Sequence, residues 1–338
     1  MRNEDVVRIE NPAARPDRLD IRWHVTSQCN YACDFCIQGD REAHRRDAAG
    51  ESAATRAAVC EALLERIGSL RGYKSVHVGL IGGEVTILPD FPELLERFAS
   101  CGFRGDLSLQ ITTNLSLPAE RYAALCRSVR RCDRPGMRRY LFPAASFDRA
   151  YVSQEAFTEK LRAIARSAPA KRRLFSRAAP SVQLRAGFPI LTDDDYDAYL
   201  RMADELAPCG VRTDPIPIRR YRTELSDAVR EKLAAERSGG AGIRVLDGAG
   251  VLHGFPSIQA LGQALEGAEH FCPRGFRCDA GVHSLWVDAF GSAWRCPVLG
   301  DRLALGSVLD GSLRLLEDSA LGTADHCSCS QFHLIERA

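Results

Sequence analysis

The chain has 338 residues, with 45 basic and 44 acidic side chains for a formal net charge of +1, and is 45% hydrophobic and 26% charged. That composition excludes disordered, collagenous and membrane-embedded classes, and the balanced charge excludes a global field that would draw the protein to nucleic acid or an anionic membrane. Thirteen cysteines are too few for a disulfide scaffold and odd in number.

Met1 to Asp20 carries acids and prolines with no signal-peptide core, and no apolar run of about 18 residues occurs anywhere. The expectation is a cytoplasmic protein with no membrane or nucleic-acid partner. In a reducing compartment, clustered cysteines are metal ligands or redox groups more often than disulfides.

From Ile21 to Ile218, β-rich runs alternate with helical patterns, which predicts parallel strands joined by crossover helices. The strands are predicted at Ile21–Thr26, Ser75–Ile81, Asp106–Thr113, Tyr140–Phe147, Ser181–Ile190 and Val211–Ile218. Helices are predicted between them at Ala53–Ile67, Pro92–Cys101, Ala119–Val129, Gln154–Ala165 and Asp194–Ala207. Six βα units are fewer than the eight of a closed barrel, so the expected fold is α/β with an open or partial (β/α)6 barrel. A polar helix near Leu225–Arg237 then runs into Ser238–Gly242, a flexible boundary or loop, and a β-hairpin is expected from Ser284–Val287 and Ala293–Cys296. The implied divisions are an N-terminal extension (1–20), a core (21–220), a linker or helical segment (221–270) and a small cysteine-rich α+β extension (271–338).

Just after the first predicted strand stand Cys29, Cys33 and Cys36, a C-x3-C-x2-C spacing on a loop. Three thiolates this close can hold three irons of a [4Fe–4S] cubane and leave the fourth iron open. A zinc site completed by His24 or His44 is the other reading of the same residues. Three further segments follow in order at predicted strand ends: Gly82-Gly83-Glu84, Thr112-Thr113-Asn114 and Ser146-Phe147-Asp148. Each also has an ordinary reading as turn or cap chemistry. Jointly they occupy the carboxyl ends of successive strands, where α/β folds place ligands.

With Phe35 preceding the third cysteine, this set resembles the radical S-adenosylmethionine (SAM) superfamily over residues 21–220. The resemblance implies a partial (β/α)6 radical SAM barrel. It also implies a [4Fe–4S] cluster on Cys29, Cys33 and Cys36, and reductive cleavage of SAM to a 5′-deoxyadenosyl radical that abstracts hydrogen from an unactivated C–H bond. SAM contacts are then expected at Gly82, Gly83, Glu84, Thr113, Asn114 and Ser146, with Arg185 as a partner for the SAM carboxylate. A reducing partner resembling flavodoxin or ferredoxin is implied as well.

In the last third, Cys278-x12-Gly291-x4-Cys296 resembles the opening of a twitch or SPASM extension. This implies one auxiliary [4Fe–4S] cluster, relaying electrons, on Cys278, Cys296, Cys327 and Cys329, with Cys272 as the alternative ligand because Cys327-Ser328-Cys329 is tighter than the usual pair. A zinc ribbon using His326 or His333 is the rival reading. Cys60, Cys101, Cys126, Cys132 and Cys209 are expected to be small buried packing residues.

The substrate is expected to be a peptide undergoing maturation or a small metabolite. The short leader before Ile21 favours a small molecule, or a leader peptide held by a separate protein. The basic run from Arg127 to Arg139 is either a solvated face or a docking site for an acidic leader or an electron-donor flavoprotein, and Asp214 is a candidate cavity acid. The alternatives to an enzyme are a non-catalytic zinc-binding scaffold and an iron–sulfur electron carrier.

Overall fold

The computed structural model describes residues 1–12, 14–36, 38–39, 41–167, 182–217, 225–238, 242–255, 257–268, 270–297, 303–327 and 331–338. The chain forms two compact units. The larger comprises Trp23–Ser226 with Asp288–Phe290; the smaller comprises Met1–Arg22, Asp227–Val287 and Gly291–Ala338.

In chain order the first elements are β1 (Val6–Glu10), β2 (Arg18–Thr26), α1 (Arg41–Asp47), α2 (Ala53–Ser69), β3 (Ser75–Gly82), α3 (Phe91–Ser100), β4 (Asp106–Thr113) and α4 (Ala119–Arg131). They continue with β5 (Arg139–Ser146), α5 (Gln154–Ser167), β6 (Arg185–Ile190), α6 (Asp193–Leu206), β7 (Arg212–Pro217), α7 (Asp227–Ser238), β8 (Ile243–Asp247), β9 (Leu252–Phe255) and α8 (Ile258–Ala264). The last are β10 (Phe276–Cys278), β11 (Ser284–Val287), β12 (Ser292–Trp294), β13 (Ala304–Ser307), β14 (Ala320–Leu321) and β15 (Leu334–Arg337).

In the larger unit the strands are ordered β2-β3-β4-β5-β6-β7. From β3 to β7 every pairing is parallel, with Ser75 opposite Asp106, Leu107 opposite Arg139, Ala144 opposite Arg185 and Gly187 opposite Asp214. Alternate residues of a strand share one face, and on that face β3 buries Val76, Val78 and Leu80 while β4 buries Leu107, Leu109 and Ile111. The crossover helices are amphipathic: α3 buries Phe91, Leu94, Leu95 and Phe98, each worth about 1.5–3 kcal/mol of hydrophobic transfer. Their starts are defined by caps, since Ser52 Oγ accepts from Thr55 N before α2 and Thr192 with Asp195 forms a capping box on α6. Parallel pairing brings Gly82, Thr113 and Ser146 to one edge of the sheet. The predicted strands are present with adjusted ends: the first begins earlier, at Arg18, and the fourth spans Arg139–Ser146. The fifth begins at Arg185 after an isolated bridge from Val182 to Leu141, and the sixth ends at Pro217. Ser181 and Ile218, where those predictions began and ended, lie outside the described residues, as do Gly239, Gly240 and Ala241 of the expected flexible boundary.

The basic run needs correction at its end. Arg139 is 1% exposed and donates to the carbonyls of Ala99, Cys101, Phe103, Gly105 and Arg138 at 2.8 to 3.1 Å. It closes the carboxyl end of α3, whose last carbonyls have no partner within the helix, and burial pushes its pKa down. Arg138 is tied to Asp133 at 3.1 Å. Neither belongs to a solvated basic face. Arg139→Met removes the donor from five carbonyls at once, and the iron-free chain is expected to lose about 3 kcal/mol in urea unfolding. A loss under about 0.5 kcal/mol would contradict this role.

The smaller unit contains an all-antiparallel sheet ordered β14-β10-β15-β1-β8-β9. Its core gathers Val6, Ile9, Val245, Ile258, Leu261, Phe271, Phe276, Phe332 and Ile335 with Cys278 and Cys327. The N-terminal strand β1 is an inner strand there, and the 221–270 stretch supplies α7, β8, β9 and α8. The expected hairpin forms, with Trp286 opposite Trp294, and β12 pairs onward to β13.

None of the described cysteines forms a disulfide. Cys60 and Cys126 are buried as expected, and burial raises the Cys60 thiol to about 11. Cys101 and Cys132 are only half-buried, and Cys209 is exposed. The Cys209 expectation fails because the residue ends the short 3-10 turn Ala207–Cys209, just before Gly210 at φ 71°, where the chain reverses at the surface. Among the described residues no helix is long and apolar enough to cross a membrane.

Candidate functional site

The cysteine loop begins where β2 ends. Thr26 Oγ1 donates to Glu51 Oε2 at 2.5 Å and Ser27 N to Glu51 Oε1 at 2.7 Å, so one carboxylate from beyond α1 ties the strand end and the start of the loop. Further on, Ala32 N donates to the Tyr151 hydroxyl at 2.7 Å, and the Tyr151 ring stacks on Tyr31 with centroids 4.0 Å apart. A tight turn then brings Cys36 N to Cys33 O at 2.9 Å. Cys36 Sγ stands 3.4 Å from His44 Nε2. All three cysteines are half-buried. Burial pushes the Cys29 thiol up, and burial together with a hydrogen bond to Asp148 pushes Cys33 well up. Among the described residues no group of three or more His, Cys, Asp and Glu side chains converges on a single-ion site.

Gly82-Gly83-Glu84 is fastened to this loop through backbone. Gly83 N donates to Thr26 O at 2.7 Å and Glu84 N to Gln28 O at 2.8 Å. The approach is close enough that a Cβ on Gly82, whose φ is +141°, would lie 2.1 Å from Thr26 O, and one on Gly83 would lie 2.0 Å from Gln28 O. Only glycine fits there.

The Glu84 carboxylate is 1% exposed and turns inward. Its Oε1 accepts from Thr86 N, Thr86 Oγ1 and Thr113 Oγ1, and its Oε2 from Asn114 N. It therefore cross-ties the ends of β3 and β4. Asn114 Nδ2 in turn donates to Asn30 Oδ1 on the cysteine loop at 2.9 Å. The residue after it, Leu115, takes a left-handed φ of 54°, held by a bond from its N–H to Thr113 Oγ1 and one from Lys160 Nζ to its carbonyl.

A cavity of about 290 Å³ lies beside the loop, lined by Phe35, Phe147, Asp148, Arg149, Tyr151 and Phe188 among others. Arg149 is held at 2.9 Å by Asp195. Ser146 is half-buried at the end of β5, opposite Gly187 of β6. Arg185, at the start of β6, is not a free cation: its Nε and Nη2 both donate to Asp214 Oδ2, at 3.1 and 2.9 Å. That pairing also accounts for Asp214. Glu51, Tyr31 and Tyr151 escaped the sequence reading. Tyr151 lies 119 residues from the amide it binds, and Glu51 has no neighbouring motif, so no local signal marks either.

The family model described as "Radical SAM superfamily" matches residues 23–203. The chain belongs to the radical SAM superfamily. It is a radical SAM enzyme, and SAM-dependent radical generation is its general chemistry. Similar solved structures include anSMEcpe with bound AdoMet and Cp18Cys peptide, at 14% identity over 87% of this chain and 78% of that one, with TM-score 0.47. Streptococcus suis SuiB bound to S-adenosylmethionine is similar at 15% identity over 87% and 64%, with TM-score 0.49; this chain thus spans less than two thirds of SuiB. BtrN in complex with AdoMet and 2-DOIA is similar at 12% identity over 87% and 79%, with TM-score 0.37. No curated protein matches the chain.

The residues present fit the cluster that radical SAM chemistry uses. The loop offers three thiols and no disulfide, and two buried polar atoms near it, Gln38 Oε1 and His44 Nδ1, lack a hydrogen-bond partner among the described residues. With the Cys29 and Cys33 thiols pushed up, a metal held there would displace protons on binding.

Of the cysteines beyond the matched residues, Cys272, Cys278, Cys296 and Cys327 belong to the smaller unit. Cys278 on β10 and Cys327 are buried in one core, and Cys327 N donates to Phe271 O at 2.9 Å. Cys272 follows Phe271 and is clamped by the Asn3 amide, which accepts from its N–H at 3.0 Å and donates to its carbonyl at 3.1 Å. Cys296 is two residues past β12 and half-buried. Cys329 lies outside the described residues. Of the histidines in the zinc-ribbon reading, His326 packs on His270 and His333 is held near Asp279.

Proposed function

We propose that this chain is a radical SAM oxidoreductase acting on an unactivated C–H bond of a peptide or small metabolite, with one auxiliary [4Fe–4S] cluster in a twitch-like C-terminal extension. The observation that carries the reading is the cysteine loop: it bears three half-buried thiols, its backbone is bound on one side by Gly83 and Glu84 and on another by Tyr151, and it lies beside a cavity walled by Phe35 and Phe147. When bound, the cluster on Cys29, Cys33 and Cys36 supplies the electron that cleaves SAM and so starts hydrogen abstraction.

The chain's own residues would divide the remaining work as follows. Gly82-Gly83-Glu84 docks on the loop through N–H groups, so it offers carbonyl oxygen to an ammonium group such as that of SAM. Glu84, saturated by four hydrogen bonds, is a positioning residue for the Thr113–Asn114 segment. Ser146 stands at the strand end, and Arg185 could take a SAM carboxylate only by sharing its bond to Asp214. The aromatic walls of the cavity exclude water around a reactive species. The auxiliary ligands would be Cys278, Cys296 and Cys327 with Cys329 or Cys272. The extension would relay electrons, and a flavodoxin- or ferredoxin-like protein would supply them.

The test is anaerobic reconstitution with iron, sulfide, SAM and dithionite, with 5′-deoxyadenosine measured by chromatography. The unaltered chain is expected to form it, and the triple variant Cys29→Ala, Cys33→Ala, Cys36→Ala is expected to fall to background. Product from the triple variant at the unaltered rate would sink the assignment of these cysteines.

A further inference from the structure

We propose that Arg295 is the buried counter-charge of the auxiliary cluster, its guanidinium donating hydrogen bonds to the cluster's sulfur. This rests on the reading of the late cysteines as ligands. Among the described residues three arginines are at or below 5% exposure, and two of them are fully partnered. Arg56 forms a two-point pair with Asp90, and Arg139 is saturated by five carbonyls. Arg295 is 2% exposed, yet its Nε and Nη1 have no hydrogen-bond partner, and no carboxylate pairs with it, among the described residues. A buried guanidinium with two of its three nitrogens unpartnered carries a desolvation cost that a nearby anion would offset.

The position of Arg295 says which anion. The next residue is Cys296, and the aliphatic stem lies against Gly281, three residues past Cys278. A Cβ built on Gly281 would stand 3.0 Å from Arg295 Cβ and 3.1 Å from its Cγ. Arg295 N is fixed to Leu303 O, so the side chain is anchored between two proposed ligands within one unit. A cubane of four irons, four sulfides and four thiolates carries −2 when oxidised and −3 when reduced. It is an anion whose acceptors are sulfur atoms. A fixed positive charge favours the more negative state, and hydrogen bonds to sulfur act in the same direction. Arg295 therefore raises the potential at which the cluster accepts an electron, which suits a relay that must take electrons up.

The test uses the full chain carrying Cys29→Ala, Cys33→Ala and Cys36→Ala, reconstituted with iron and sulfide, so that only the auxiliary cluster contributes. In a dithionite titration followed by electron paramagnetic resonance, each cluster takes one electron. Arg295→Met is expected to keep about four irons per chain and to weaken reduction at least tenfold, a shift of about 59 mV to more negative potential, with Arg295→Lys between the two. Four irons with an unchanged potential in Arg295→Met would overturn the role of Arg295. Should that variant fail to fold or load, the parent chain labelled with 15N-arginine decides: the reduced cluster should show a 15N hyperfine coupling in pulsed spectra, and its absence overturns the proposal. A parent chain that binds no iron would instead overturn the auxiliary cluster itself.

Discussion

Glu84→Gln is expected to destabilise the iron-free chain by about 3 kcal/mol at pH 7 in urea unfolding. The carboxylate is buried and accepts four hydrogen bonds, with a backbone N–H on each oxygen: Thr86 N on Oε1 and Asn114 N on Oε2. Glutamine keeps one oxygen and replaces the other with an amide donor. In either orientation one backbone N–H then faces another donor, and an unsatisfied buried donor costs about 1–3 kcal/mol on its own. The hydroxyls of Thr86 and Thr113 can rotate and soften the loss, but the amides cannot.

The pH dependence supplies a second readout. Burial raises the Glu84 pKa against the lowering effect of its hydrogen bonds. The folded chain thus holds this proton more tightly than the unfolded chain. The contribution of Glu84 is complete below the ordinary carboxylate range and declines as pH rises through the folded-state pKa. Glutamine does not titrate. The gap between the unaltered chain and the variant should therefore be widest on the acid side and narrow upward. A gap that widened with rising pH would overturn the burial argument.

What was legible in the sequence was local. The parallel strands could be drawn because their apolar residues alternate along short stretches bounded by turn residues, as Val76, Val78 and Leu80 do in Ser75–Gly82 and Leu107, Leu109 and Ile111 do in Asp106–Thr113. The cysteine loop and the glycine pair could be found because their spacing is short and their residue types are rare. Strand β1 was not drawn, and its geometry says why. Its register against β8 shifts between Val6 and Arg8, so the buried residues Val6 and Ile9 are three apart, and the period-2 signal is lost.

The polar ties were equally hidden. The carbonyls that Arg139 satisfies lie up to 40 residues away, and Glu51 reaches the cysteine loop from 24 residues on. A charged residue in sequence looks the same whether it meets solvent or a buried partner. Only the fold separates Arg139, which belongs to the core, from the rest of its basic run.

Gly83→Ala is expected to reduce 5′-deoxyadenosine formation more than 100-fold in the reconstituted chain, out of proportion to its effect on stability, about 1–3 kcal/mol for overpacking. The added methyl would stand 2.0 Å from Gln28 O, 2.5 Å from Gln28 C and 2.9 Å from Ser27 O. All three are backbone atoms, so no side chain can rotate away. The backbone between β2 and Cys29 must move, and with it go the bonds from Gly83 N to Thr26 O and from Glu84 N to Gln28 O that seat the loop. A displacement of about 1 Å is enough to cost 100-fold where reacting groups must be aligned. Gly68→Ala is the matched control: Gly68 lies in α2 with nothing within 4 Å of an added Cβ, so the change should leave turnover intact and stabilise the helix by about 0.5–1 kcal/mol. If Gly83→Ala lost stability but kept its turnover, the glycine pair would be a packing feature of the strand end and would not seat the cysteine loop.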